Sequence, residues 1–73
     1  MPTKTFPGHR LRVRRVERQL TQKQLADLSG VALRSISNAE SGGSVRNSTW
    51  KALELALGLE VGALRDDAEV LSR

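Results

Sequence analysis

Leu20 to Gly42 reads Leu-Thr-Gln-Lys-Gln-Leu-Ala-Asp-Leu-Ser-Gly-Val-Ala-Leu-Arg-Ser-Ile-Ser-Asn-Ala-Glu-Ser-Gly, and its punctuation is unusually clear. Thr21 is followed three positions later by Gln24, the Thr-x-x-Gln spacing of a capping box, so a helix begins at about Gln22. Leu25, Ala26 and Leu28 supply its apolar side. Gly30 ends it, because a glycine accepts the left-handed backbone that closes a helix. A further short helix spans about Leu33 to Glu40. Ile36 and Ala39 fall on its inner side, and Arg34, Ser37, Asn38 and Ser41 on its outer side. Ser41-Gly42-Gly43-Ser44 then breaks the chain into a flexible turn.

Working outward, Leu11, Val13, Val16 and Leu20 recur at helical spacing with arginines between them. That predicts an amphipathic first helix over about 9–18. Residues 1–8 hold both prolines and a glycine without periodicity and read as a flexible arm. After the Gly-rich turn, Asn47 or Ser48 caps a fourth helix, Thr49 to Leu57, with Trp50, Leu53, Ala56 and Leu57 inward and Gly58 as its stop. Val61 and Leu64, with Ala68 and Leu71, outline a fifth. The sequence shows no strand pattern, repeat or low-complexity segment. The expectation is an all-α, compact five-helix bundle: an arm at 1–8, a folded domain at 9–67, and a tail or helix extension at 68–73.

The chain has 73 residues, room for one small core, and its hydrophobic content is 38%. Apolar runs such as Leu55-Ala56-Leu57 fall far short of the roughly 18 residues a membrane span needs. There is no Cys, which excludes disulfides, thiolate metal sites and a Cys nucleophile. His9 is the sole histidine, which argues against a His-based metal site or a Ser-His-Asp triad. Asp66-Asp67 has no base or nucleophile beside it, so no enzyme, cofactor, metal or small-molecule substrate is expected. The N-terminus lacks the apolar core of a signal peptide, pointing to a cytoplasmic location. Net charge is +4, and it is polarised: +5 over residues 1–20, +1 over 21–47 and −2 over 48–73. A basic half of this kind attracts a polyanion; the plainer alternative is a solvated charged helix.

Two short helices meeting at Gly30 form a helix-turn-helix arrangement. Its outer helix must stand off the body to enter a DNA major groove about 12 Å wide. Small Ala26 at the elbow, Gly30 at the turn, and Val31 and Ile36 beneath the second helix meet that demand. Together with Ser48 to Gly58, the Leu20–Gly42 stretch resembles the lambdoid repressor and Cro (XRE-type) helix-turn-helix family. The resemblance covers about residues 10–65. It implies a five-helix bundle whose third helix reads a double-stranded DNA operator, acting as a small phage or bacterial repressor-like regulator of transcription. It also implies a homodimer on an inverted repeat as the usual arrangement, with a monomer on a single half-site as the alternative at this size.

Roles carried over from the resemblance are specific. Gln22 matches a phosphate-binding Gln at the start of the second helix, where the helix dipole adds to its pull; helix capping alone is the plain alternative. Arg34 matches an exposed reading position, and bidentate Arg–guanine is the commonest specific base contact. Asn38, one turn on, suits adenine, and Ser37 suits a base or a phosphate. Leu33 suits a thymine methyl, or else partial packing. Lys23, Ser35, Arg46 and Asn47 are phosphate candidates or solvated polar residues. Lys4 and Arg10 are candidates for arm contacts in a minor groove. Arg15 and Glu40 match a semi-buried salt bridge between first and third helices, whose breakage costs on the order of 3 kcal/mol when well buried.

The sequence departs from the family in four places. Ala32 replaces a hydroxyl cap worth about 1 kcal/mol. Arg14 stands where an aliphatic residue is common. Ala39 is small where Trp50 could fill the space, and Gly42-Gly43 loosens the loop. The competing reading is a protein-binding module of the same fold, a toxin-neutralising antitoxin. It is disfavoured by the short stretch after the fifth helix. An RNA-binding module is disfavoured because Phe6 and Trp50 are the only aromatics. Val61, Leu64, Val70 and Leu71 are the candidate dimer surface.

Overall fold

A computed structural model describes residues 7–65. Four α-helices follow in order: α1 (Pro7–Glu17), α2 (Gln22–Ser29), α3 (Leu33–Glu40) and α4 (Asn47–Ala56), then a 3-10 turn at Ala63–Arg65. The described residues are all helix and turn, with no strand among them. Four helices and a 3-10 turn stand where five helices are expected. Gly62 has φ 95° and the turn spans three residues, so Val61 and Leu64 belong to no α-helix. Asp66, Asp67, Ala68, Leu71 and the 68–73 tail lie outside the described residues, as does Lys4.

The first helix starts earlier than its periodicity suggests. Pro7 and Gly8 are its first two residues, not the end of an arm. Proline suits a first helical position, where its missing N–H costs nothing and its φ is already helical. Gly8 is buried. Of the apolar residues on α1 only Leu11 reaches the core; Val13 is 38% and Val16 55% exposed. The inward side of α1 is Gly8, Leu11 and Arg15, so an arginine occupies the third turn of a face that periodicity assigns to valines. Arg14 is solvent-exposed and pairs with Glu17.

The core gathers Leu11, Leu25, Ile36, Ala39, Trp50, Leu53, Leu57 and Leu64, with Leu20, Ala26, Val31, Val45, Ala56 and Leu59 packed around it. α1 packs on α3, α2 on both α3 and α4, and the 3-10 turn closes against α1 and α4. Leu28, expected on the inner side of α2, is 58% exposed, and Leu25 is the fully buried residue of that helix, with Ala26 partly buried beside it. Ala39 and Trp50 are both buried in one cluster. Both also line a small cleft together with Pro7, Gly8, Gly42, Gly43, Ser44 and Val45.

The helix ends follow local rules. Thr21 Oγ1 accepts from Gln24 N–H at 3.0 Å and Gln24 Oε1 from Thr21 N–H at 2.8 Å, both halves of the capping box. Gly30 has φ 78° and donates to Ala26 O at 2.9 Å, closing α2 and setting the elbow. α1 ends with the same left-handed geometry on a non-glycine, Gln19 at φ 59°. There Leu20 N–H bonds Arg15 O and Gln19 N–H bonds Val16 O, at 3.1 and 2.8 Å.

Glu54 is the feature the apolar pattern does not announce. It is fully buried, yet no polar atom of it is left unpaired. Its carboxylate accepts from Gly62 N–H at 2.8 Å and Leu64 N–H at 3.2 Å. It also accepts from Arg65 Nε at 3.1 Å and Nη2 at 2.8 Å. Burial pushes this carboxyl's pKa up. Hydrogen bonds from Arg65, Gly62 and Leu64 and the Arg65 charge more than offset that, and the net displacement is downward. Glu54 therefore clamps the segment after α4 onto the bundle, much as a metal would.

Candidate nucleic-acid interface

The outward surface of α3 is set by what the helix buries. Ile36 is 0% and Ala39 1% exposed, so the opposite side of the helix carries Leu33, Arg34, Ser37 and Asn38 outward. Leu33, the first residue of α3, is 46% exposed. Gln22, Leu33, Arg34, Ser37, Asn38 and Ser41 line one shallow groove between the start of α2 and the length of α3. Lys23 flanks the adjoining hollow over the Gly30 elbow, with Ala26, Asp27, Val31, Ala32 and Leu33. Its ammonium lies 3.8 Å from Asp27, an exposed pair of little energetic weight.

Beneath the groove Arg15 and Glu40 join α1 to α3. Arg15 Nε donates to Glu40 Oε2 at 2.7 Å and Nη2 to Oε1 at 3.0 Å, a bidentate fork between side chains only 12% and 7% exposed. Arg15 Nη1 also donates to Leu20 O at 2.8 Å. The hydrogen bond to Glu40, with its charge, holds the guanidinium above its ordinary pKa against the opposing effect of burial. Gln22 Nε2 donates to Glu40 Oε1 at 3.1 Å. Glu40 thus collects α1, the start of α2 and the end of α3 at one carboxylate.

The remaining candidates are placed less uniformly. Asn38 Nδ2 donates to Ser44 O at 3.2 Å, and Gly43 N–H bonds Asn38 O at 2.8 Å. A Cβ added to Gly43 would collide with the Asn38 amide, so the bare glycine lets that side chain fold back over the loop. Ser35 is half-buried and outside the groove lining. Arg46 is the exposed N-cap residue of α4 and provides no side-chain cap; neither does Ala32 at α3. Asn47 Oδ1 accepts from Arg65 Nη1 at 3.4 Å, so it is tied to the Glu54 clamp. Arg10 is not an arm residue. It lies on α1 and its Nη1 donates to Ala63 O at 3.3 Å. Leu64 is 1% exposed and so belongs to the core, not to a dimer surface, while Val61 is 54% exposed. Val70 lies outside the described residues.

Among the interactions that escaped the sequence are Gln22 with Glu40, Asn38 with Ser44, and Glu54 with Arg65. Only the last leaves a trace. Glu54 follows Trp50 by four positions, on the same inward face of α4. Away from the groove, a second cleft runs between α1 and the segment after α4, lined by His9, Arg10, Val13, Arg14, Glu17, Leu59, Ala63 and Leu64. No described helix is long and apolar enough to cross a membrane.

Comparison with known proteins agrees with this geometry. Neither the curated proteins nor the solved structures give a match. A helix-turn-helix family model matches residues 11–64, which runs from the first core leucine of α1 to the leucine of the 3-10 turn. That span is well over half of the chain, and the protein therefore belongs to the helix-turn-helix family of DNA-binding domains, of the lambda repressor and Cro type.

Proposed function

We propose that the protein is a sequence-specific regulator of transcription that lays α3 in the major groove of a double-stranded operator. The observation that carries this reading is the outward face of α3. It is a one-helix-wide strip of Leu33, Arg34 and Ser37 held off the core by Ile36 and Ala39, with the Gln22 amide at its rim. A helix about 10–12 Å across fits a groove about 12 Å wide. Arg34 is the guanine reader, Leu33 the thymine-methyl contact and Ser37 a small polar contact. Asn38 shares the face, but its Nδ2 donates to Ser44 O and its Oδ1 lies against Gly43, so both ends that a bidentate adenine contact needs are turned to the loop. We assign it to shaping the loop that presents Arg46, and not to adenine. Gln22 and Lys23, beside α3, are phosphate contacts, and Ser35, Arg46, Asn47 and Lys4 are kept as further candidates for the DNA backbone. The chain acts as a small repressor- or Cro-like protein, as a homodimer on an inverted repeat.

The test is selection of bound sequences from a random duplex library at about 150 mM salt, where purely phosphate-driven binding is weak. Enrichment of an inverted repeat is the expected result. Enrichment of a lone half-site would overturn the dimer. Retention only at low salt, with no enriched sequence, would overturn specific recognition and favour a protein partner, as for an antitoxin of this fold.

A further inference from the structure

The Arg15–Glu40 pair is more than a tie between two helices. A bridge serving only α1 and α3 would be complete with the two Arg15 bonds to Glu40. Here Glu40 Oε1 takes a third donor, Gln22 Nε2 at 3.1 Å, from the first residue of α2. The carboxylate is 7% exposed on its side chain, so this bond is sheltered from water. Gln22 has two amide protons. One is committed inward, which fixes the rotamer and leaves the second N–H at the rim of the groove it shares with Leu33, Arg34 and Ser37. Arg15 neutralises the carboxylate on its other side, so the anchor that aims the amide does not repel a nearby anion.

We infer that Glu40 is a positioning residue for DNA binding: by accepting from Gln22 Nε2 it aims the remaining Gln22 N–H at a backbone phosphate. The inference rests on the proposed reading of Gln22 as a phosphate donor. It makes a prediction opposite in sign to simple electrostatics. Neutralising a carboxylate near a polyanion-binding face should tighten binding; if Glu40 aims a donor, neutralising it weakens binding.

The test compares the full-chain protein with Gln22→Ala, Glu40→Ala and the double variant. Each is titrated onto a mixed-sequence duplex at about 50 mM salt, where phosphate contacts dominate. Loss of one hydrogen bond to a charged group corresponds to about tenfold in affinity. Glu40→Ala removes both the charge and the acceptor, whereas a glutamine there would keep an oxygen for Gln22. Gln22→Ala and Glu40→Ala are each expected to weaken binding by about that factor, and the double variant no further, because both remove the same contact. Tighter or unchanged binding by Glu40→Ala, or a double variant whose loss is the product of the single losses, would overturn the inference. Unchanged binding by Gln22→Ala would overturn it through its premise, since Gln22 would then hold no phosphate. A second measurement on the unmodified protein does not depend on whether Glu40→Ala folds. One Gln22 side-chain amide proton is expected to exchange with solvent more slowly than those of exposed Gln19. Equal exchange would mean that the Gln22–Glu40 bond does not hold the amide, and the inference would fall.

Discussion

Replacing Glu54 by alanine removes a buried charge that organises the segment after α4. Four hydrogen bonds go with it, two from backbone N–H groups and two from Arg65. The Leu64 N–H is buried and its loss of a partner costs about 1–3 kcal/mol. Gly62 N–H is only partly buried and falls at the low end of that range. Arg65 is 25% exposed on its side chain and regains water, so its share is discounted. Together these make the cost about 3 kcal/mol, which for a domain this small is a large part of total stability. At about 4–8 °C per kcal/mol, the melting temperature should fall by about 12–24 °C. Thermal and urea melts followed by circular dichroism read it directly. Leu55→Ala, one position on and 57% exposed, is the control and should shift stability by no more than about 0.5 kcal/mol. If Glu54→Ala melts within about 4 °C of the parent, the clamp does not hold the segment after α4 and the reasoning fails.

Three further outcomes are expected. Arg34→Ala should cost about 1–3 kcal/mol on the selected operator and relax preference at a single base pair; equal weakening on every duplex would remove Arg34 from base reading. Asn38→Ala should weaken binding to all duplexes alike, because it frees the Ser44 carbonyl and loosens the loop, and a loss confined to one base position would return Asn38 to the bases. The third concerns acid. Glu54 has its folded pKa below the unfolded one, so its stabilisation is complete above the unfolded carboxylate value of about 4.3 and is lost as pH falls through the folded value. The urea midpoint should therefore drop below about pH 4.5, and Glu54→Gln should flatten that drop; an unchanged slope would assign the acid loss to other groups.

What is legible in the sequence is local or periodic. Thr21 with Gln24, and Gly30 at the elbow, are signals of a few residues, and the helix ends obey them. Ile36 and Ala39 set the face of α3, and Leu33, Arg34, Ser37 and Asn38 then fall outside by geometry alone. Periodicity misleads on α1 because Arg15, not a valine, fills the inward third turn. Such a choice is stable only when a carboxylate 25 residues away is brought to meet it. The end of the chain misleads for a related reason. Val61 and Leu64 suggest a helix, but Glu54 captures two backbone N–H groups there and tightens the segment into a 3-10 turn. At the site, side-chain type and exposure are readable, whereas prior engagement is not. The Gln22 and Asn38 amides both sit by the groove, and only tertiary contacts decide that one is pinned to Glu40 and the other to Ser44.

The most direct test of the central claim is an amide-shift titration of isotope-labelled protein with a selected operator duplex. The largest shifts should fall on Leu33, Arg34 and Ser37 and at the start of α2 around Gln22, with Arg46 and Asn47 following. Shifts centred on His9, Arg10, Val13 and Leu59, in the cleft between α1 and the segment after α4, would contradict the account, because DNA would then be meeting a different face of the protein.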